Sequence, residues 1–216
     1  SEGNMLTFYY IPGDGSSTIE NNAAENGEIT YTYLTHGLFD AAIGAIDDKG
    51  NEYFENITIR IDKKITWSDG STASPDTMNI ETTPDCDCEE PEQIKIDSTV
   101  TNPQNGGAGI PFGGQSVTVT WRLLNSTDAV ATESPPEQIG DGQDGDWVHN
   151  QYFIESGTWK LEVDVTAEGD GDENVNVDHI VTIAYVADES APNPMDPLPP
   201  EEWIEPSQVH FPFCKK

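Results

Sequence analysis

Two turns in this 216-residue chain concentrate oxygen ligands, Asp141-Gly-Gln-Asp-Gly-Asp146 and Glu168-Gly-Asp-Gly-Asp-Glu-Asn174. Ca²⁺ takes six to eight oxygens, and glycine lets carboxylates converge on a tight turn. The ligands expected on this reading are Asp141, Asp144 and Asp146 from the first turn and Asp170, Asp172 and Asn174 from the second. Calcium is the one cofactor the sequence suggests. The motif is not an EF-hand. With Asp170 in first place, Val175 stands where the loop needs Gly, and Val181 where it needs a bidentate Glu. Solvated acidic turns are the competing reading, and both stay open at this stage.

Other chemistry is sparse. The four histidines, His36, His149, His179 and His210, form no His-x-x-x-His or His-Glu-x-x-His pair, and neither a Gly-x-Ser-x-Gly elbow nor a phosphate-binding glycine loop occurs. His179 sits in an alternating apolar run and reads as structural. The three cysteines are Cys86, Cys88 and Cys214. The first two lie in Asp85-Cys-Asp-Cys-Glu-Glu90, where carboxylates raise thiol pKa values and oppose a reactive thiolate. Inert thiols, an oxidised link involving Cys214, and a metal remain as alternatives, although a zinc site would want a second Cys/His pair. Nothing singles out two catalytic carboxylates among the 40 acidic residues. The expectation is a non-enzyme with no catalytic residue.

The elements around these residues are strands. Ile, Val and Thr together number 50 against 7 Leu, a ratio that suits pleated surfaces better than helices. A formal charge of −31, from 40 acidic and 9 basic residues, argues against nucleic acid as a partner, since phosphates must be neutralised by Lys and Arg. No apolar run approaches the roughly 20 residues of a membrane helix, so membrane insertion is not expected. Self-repulsion at this charge disfavours compaction at low salt, and marine ionic strength screens it. That points to an extracellular or virion-surface setting. The sequons Asn56-Ile-Thr58 and Asn125-Ser-Thr127 permit an extracellular life, whereas a virion protein should be unglycosylated at both. Ser1 fits a trimmed initiator as well as a cleaved leader.

Four segments follow from the pattern. Residues 1–82 read as an N-terminal β domain. It opens with the aromatic strand Leu6–Ile11 and the turn Pro12–Gly15. Glu28–Leu34 alternates and puts Tyr31 and Tyr33 on one face; Ile57, Ile59 and Ile61 point inward. Phe39–Ile46 is short and Ala-rich, as compatible with helix as with strand. Asp69-Gly70 signals a hairpin, with a last strand over Met78–Thr82. Residues 83–93 are acidic and flanked by proline, a linker. In 94–188, Val117, Val119, Trp121 and Leu123 alternate with polar residues, and so do Trp159, Leu161, Val163 and Val165.

Ser156-Gly-Thr-Trp-Lys-Leu-Glu-Val-Asp-Val165, followed by a turn and a strand to Val186, resembles the corner and closing strands of an immunoglobulin-like sandwich. The resemblance covers 94–188 only and lacks the paired cysteines. It implies a superfold, not a function. The fold class expected is all-β: two β-sandwich-like domains, the second immunoglobulin-like, and an extended arm over 189–216, which holds 7 of the 15 prolines. That arm still carries Trp203, Ile204, Phe211 and Phe213. Wrapping its own domain and docking on a neighbouring subunit are both open. As subunit contacts the expectation names these four, with Phe8, Tyr9 and Tyr10 of the first strand as a donated strand. The function expected is a structural subunit of an extracellular assembly, such as a virion decoration or tail protein, partnered by copies of itself or by other subunits. The alternative is a cell-surface filament subunit or glycan-binding adhesin.

Overall fold

The computed structural model describes residues 3–25, 27–84, 89–104, 115–168 and 173–185, and the backbone alone of 208–212. The chain is all-β, with strands as the only regular elements among the described residues. It divides into two compact units, one made of Ser1–Asp62, Pro84–Glu89 and Tyr185–Lys216, the other of Lys63–Thr83 and Glu90–Ala184.

The first unit contains β1 (Met5–Ile11), β2 (Ile19–Asn22), β3 (Glu28–Thr32), β4 (Gly37–Asp47) and β5 (Glu52–Ile61). Four of these form an antiparallel sheet in the order β2-β1-β4-β5. Its inner face carries Phe8 and Tyr10 from β1 and Phe39, Ala41 and Ala45 from β4, packed with Ile29 and Tyr33. The alanines explain why β4 is ambiguous in sequence. Small side chains there leave room for rings, and Tyr33 stacks on Phe39 at 4.8 Å between centroids. Tyr33 Oη donates to the Pro12 carbonyl (2.7 Å), and Tyr10 and Tyr33 hydroxyls meet. Burial and these partners push the Tyr33 phenol far above its ordinary pKa, so it stays a neutral donor. The turn they pin requires Gly13, whose φ is +81° and whose added Cβ would lie 2.3 Å from the Asp40 carbonyl oxygen.

The second unit contains β6 (Lys63–Thr72), β7 (Met78–Glu81), β8 (Gln93–Asn102), β9 (Val117–Leu124), β10 (Val130–Glu133), β11 (Glu137–Ile139), β12 (Gln143–Tyr152), β13 (Thr158–Ala167) and β14 (Val175–Ala184). One sheet runs β12-β8-β14-β6 and the other β10-β9-β13-β7, with β11 also on β9. The alternation expected in β9 and β13 is present: Val117, Val119, Trp121, Leu123, Trp159, Leu161 and Val163 are buried. Between the sheets lies a core of Val100, Val119, Trp121, Ile139, Val175 and Val177, closed by Trp67 and Trp147. At roughly 1.5–3 kcal/mol per large buried side chain, this core is the main source of the unit's stability.

The β-sandwich expected for this block is there, and its strand order is specific. Apart from β10 and β11, which together line one edge of β9, successive strands cross from sheet to sheet, and the orders are those of a jelly roll, a double Greek key of eight strands. β13 and β14 lie in opposite sheets, although an immunoglobulin-type closing hairpin would set them side by side. The expected boundary at 82/83 is corrected. β6 pairs with β14 and β7 with β13, so residues 63–81 belong to the second sandwich. They supply an edge strand to each sheet, which local sequence proximity does not reveal. Asp69-Gly70 is not a hairpin either. β6 runs through it, and the register shift opposite Val175 and Val177 absorbs the irregularity as a bulge.

Candidate functional site: a strand-receiving edge and a buried histidine

The last strand of the described chain, β15 (Gln208–Pro212), pairs antiparallel with β3 in a two-stranded ladder, Val209 opposite Tyr31 and Phe211 opposite Ile29. Among the described residues β15 is the only ladder partner of β3. β3 is oriented from its other side. Ile29 and Tyr33 are buried in the first unit's core, Asn21 Nδ2 donates to the Glu28 carbonyl (2.8 Å), and Tyr31 Oη donates to Asp14 Oδ2 and accepts from Ser16 Oγ. Burial raises the Tyr31 phenol pKa, as does the Asp14 bond. β3 is thus anchored by side chains in the first unit, and its ladder partner is the chain's own arm. Pro212, at the end of β15, cannot donate and fits the terminus of a short pairing.

The expected donor strand takes another role. β1 is paired on both sides, by β2 and β4, so it has no free edge to donate. Phe8 and Tyr10 face their own core, and Tyr9 is buried as well, so none is exposed to meet a subunit. Of the arm residues, Phe211 lies on β15, whereas Trp203, Ile204 and Phe213 lie outside the described residues, as do Cys86, Cys88 and Cys214.

The calcium expectation lies partly outside the described residues. Asp170 and Asp172 lie outside the described residues. Asp141 sits in the turn before β12, Asp144 and Asp146 lie on β12, and Asn174 lies just before β14. Asp146 Oδ1 accepts from Thr99 Oγ1 at 2.7 Å. Among the described residues no group of three or more His, Cys, Asp or Glu side chains is placed to hold a metal ion.

One polar constellation escaped the sequence reading. Trp121 Nε1 donates to Ser98 Oγ at 2.7 Å, and Ser98 Oγ lies 2.8 Å from His179 Nδ1. Ser98 and His179 are cross-strand neighbours on β8 and β14, and Trp67 stacks on the imidazole at 4.9 Å. A Ser–His contact suggests a nucleophile and its base. Ser98 is fully buried, however, and His179 Nε2 has no partner where a catalytic base would need an orienting carboxylate. Burial lowers the His179 pKa to about 4, so the ring is neutral at pH 7. The group ties the two sheets together through polar atoms and has no access for substrate. The reading of His179 as structural agrees with this.

The class defined by these observations is an all-β protein whose second unit is a jelly-roll sandwich. No family model matches the chain, and no curated protein matches it. Among solved structures it is similar to the CBM22-1 xylan-binding domain of Paenibacillus barcinonensis Xyn10C, at 10% identity over 87% of this chain and 98% of that one, TM-score 0.33. It is also similar to a chain of the naturally occurring empty particles of Cowpea mosaic virus, at 12% identity over 92% of each chain, TM-score 0.29. A third likeness is to infectious bursal disease virus Gt strain, at 8% identity over 84% of this chain and 58% of that one, TM-score 0.30. Likenesses this distant carry no argument about function.

Proposed function

We propose that this protein is a non-enzymatic structural subunit of an extracellular assembly, a virion decoration or tail protein, whose copies are joined by exchange of the C-terminal strand. The observation that supports this is the pairing of β3 with β15. Residues 186–207 connect Tyr185 to that strand, and an extended segment of this length reaches at most about 80 Å. The same ladder can therefore form within one chain or between two, the low-cost route by which identical elements exchange between protomers. A jelly-roll sandwich, an architecture used by viral capsid and lectin domains, suits a load-bearing body. The polyanionic surface suits an exterior of high ionic strength.

A cell-surface filament subunit is the second reading, favoured by the same edge, since strand addition also joins pilus-type subunits. In that case the donated element is the arm and not β1.

The test is sedimentation of the full chain across a concentration series at marine salt, beside a Val209→Pro/Phe211→Pro variant that removes two donors from β15. Concentration-dependent oligomers in the parent and monomers in the variant are expected. A parent that stays monomeric at every concentration, alone and with particles of its source, would overturn the reading.

A further inference from the structure

The outer face of the first unit's sheet carries a feature that strand exchange does not use. Cross-strand rows set Tyr9 beside Gly44 and Gly44 beside Phe54, then Ile11 beside Ala42 and Ala42 beside Asn56, then Asp40 beside Thr58. The central strand offers only small side chains, Ala42 and Gly44, between larger ones on β1 and β5. A depression of about 480 Å³ lined by Ile11, Asp40, Ala42, Asn56 and Thr58 results. A second, of about 230 Å³, shares Ile11, Ala42 and Asn56 with it and extends to Glu52 and Phe54, so the two run as one trough along β4 between β1 and β5. Its floor is built with care. The Tyr9 ring lies over Gly44, where a Cβ would come 2.3 Å from the ring, and Tyr9 Oη donates to Glu52 Oε1 at 2.7 Å. That bond closes one end.

We propose that this trough binds a neutral oligosaccharide. A pyranose presents an apolar C–H face and a rim of hydroxyls. The trough offers the complement of both. Phe54 is 67% exposed on one lip and Ile11 40% exposed on the other, apolar surfaces for the C–H face. The side chains of Asp40, Asn56 and Thr58 make no hydrogen bond to another described residue, so a carboxylate, an amide and a hydroxyl are available to the rim. The lining contains no Lys or Arg, and the chain carries −31 charges, so anionic glycans and nucleotides are disfavoured. A peptide strand is disfavoured too. The trough lies on the face of the sheet, where main-chain groups are already paired, and not along its edge. From Asp40 to Gly44 the strand rises about 14 Å, enough for several sugar rings in a row.

The test uses the full chain made in a bacterial host without N-glycosylation, so that Asn56 stays bare. It is applied to an array of neutral β-glucans, xylans, mannans, galactans and neutral animal glycans, with sulfated and uronic glycans as contrast. The best soluble oligosaccharide is then titrated by NMR. Retention of at least one neutral glycan is expected, weakened about tenfold or more by Phe54→Ala and by Asn56→Ala and unchanged by Val148→Ala on the other unit. Both trough positions are exposed, and unchanged melting temperatures exclude unfolding as the cause. Absence of neutral-glycan binding at millimolar ligand, binding of anionic glycans alone, or binding that survives both variants would overturn the proposal.

Discussion

Acidification should weaken the jelly-roll unit chiefly through His179 before its carboxylates titrate. The ring is almost wholly inaccessible, its Nε2 has no partner, and its folded pKa is lowered to about 4. An unfolded histidine titrates near 6.5. Above about pH 6.5 both states are neutral and His179 adds no pH dependence. Between about 6.5 and 4 the unfolded chain binds a proton that the folded chain refuses, so stability falls with pH by about 1.4 kcal/mol per unit. The total loss approaches about 3 kcal/mol, a large share of a domain's usual 5–15 kcal/mol. Asp14, Asp47 and Glu81 have carboxyls held below their ordinary pKa, so their contributions are lost only in a more acid range. His149, half-buried against Trp147, is shifted in the same direction by burial and must be controlled for. The assay is urea unfolding from pH 7 to 4 at constant high salt, followed by tryptophan emission. Four of the five tryptophans, Trp67, Trp121, Trp147 and Trp159, lie in this unit. His179→Gln keeps an acceptor for Ser98 and cannot titrate. It should flatten the slope between pH 6.5 and 4.5 by about 1.4 kcal/mol per unit, and His149→Gln should flatten it less. Parallel curves for the parent and His179→Gln would refute the reasoning.

Three further outcomes are expected. Gly44→Ala forces its methyl against the Tyr9 ring and the Tyr53 carbonyl oxygen, 2.7 Å away, and should cost about 1–3 kcal/mol of first-unit stability by chemical denaturation. Phe153 is 96% exposed with φ at +55°, a conformation that a bulky side chain holds at a cost, so Phe153→Gly should raise jelly-roll stability by about 1 kcal/mol. An unchanged or lower midpoint would show that the ring is held by something worth more than the strain. The melting temperature should climb by several degrees from low salt to about 1 M NaCl, where the Debye length is about 3 Å; a flat response would remove the screening argument.

Period-two alternation made the inner faces of β9 and β13 legible, because burial on one side of a strand is a local pattern. Which strand lies next to which is not local. β6 and β7 stand within the first block in sequence, and their partners β14 and β13 come about 80 to 120 residues later. Turn chemistry misled at Asp69-Gly70, where a bulge accommodates the glycine. The prolines and large apolar residues of the arm set it apart from the strands before it, but that 208–212 would pair with β3 could not be read from the arm. The trough was hidden for the same reason as the topology, since Tyr9, Gly44 and Phe54 meet only across three strands. Its one local trace is the pair of small residues Ala42 and Gly44, two apart on one face of β4.

The nesting of the two units has a consequence for biosynthesis. The jelly roll is one insertion of contiguous strands, broken only at 84–89, within a unit whose final ladder waits for residues 208–212. On the ribosome the inserted body can finish while the enclosing one still lacks its last strand. A nascent chain therefore passes through a stage in which β3 is presented and unfilled. On the strand exchange proposed above, the arm of a neighbouring chain can fill that edge before the chain's own arm does.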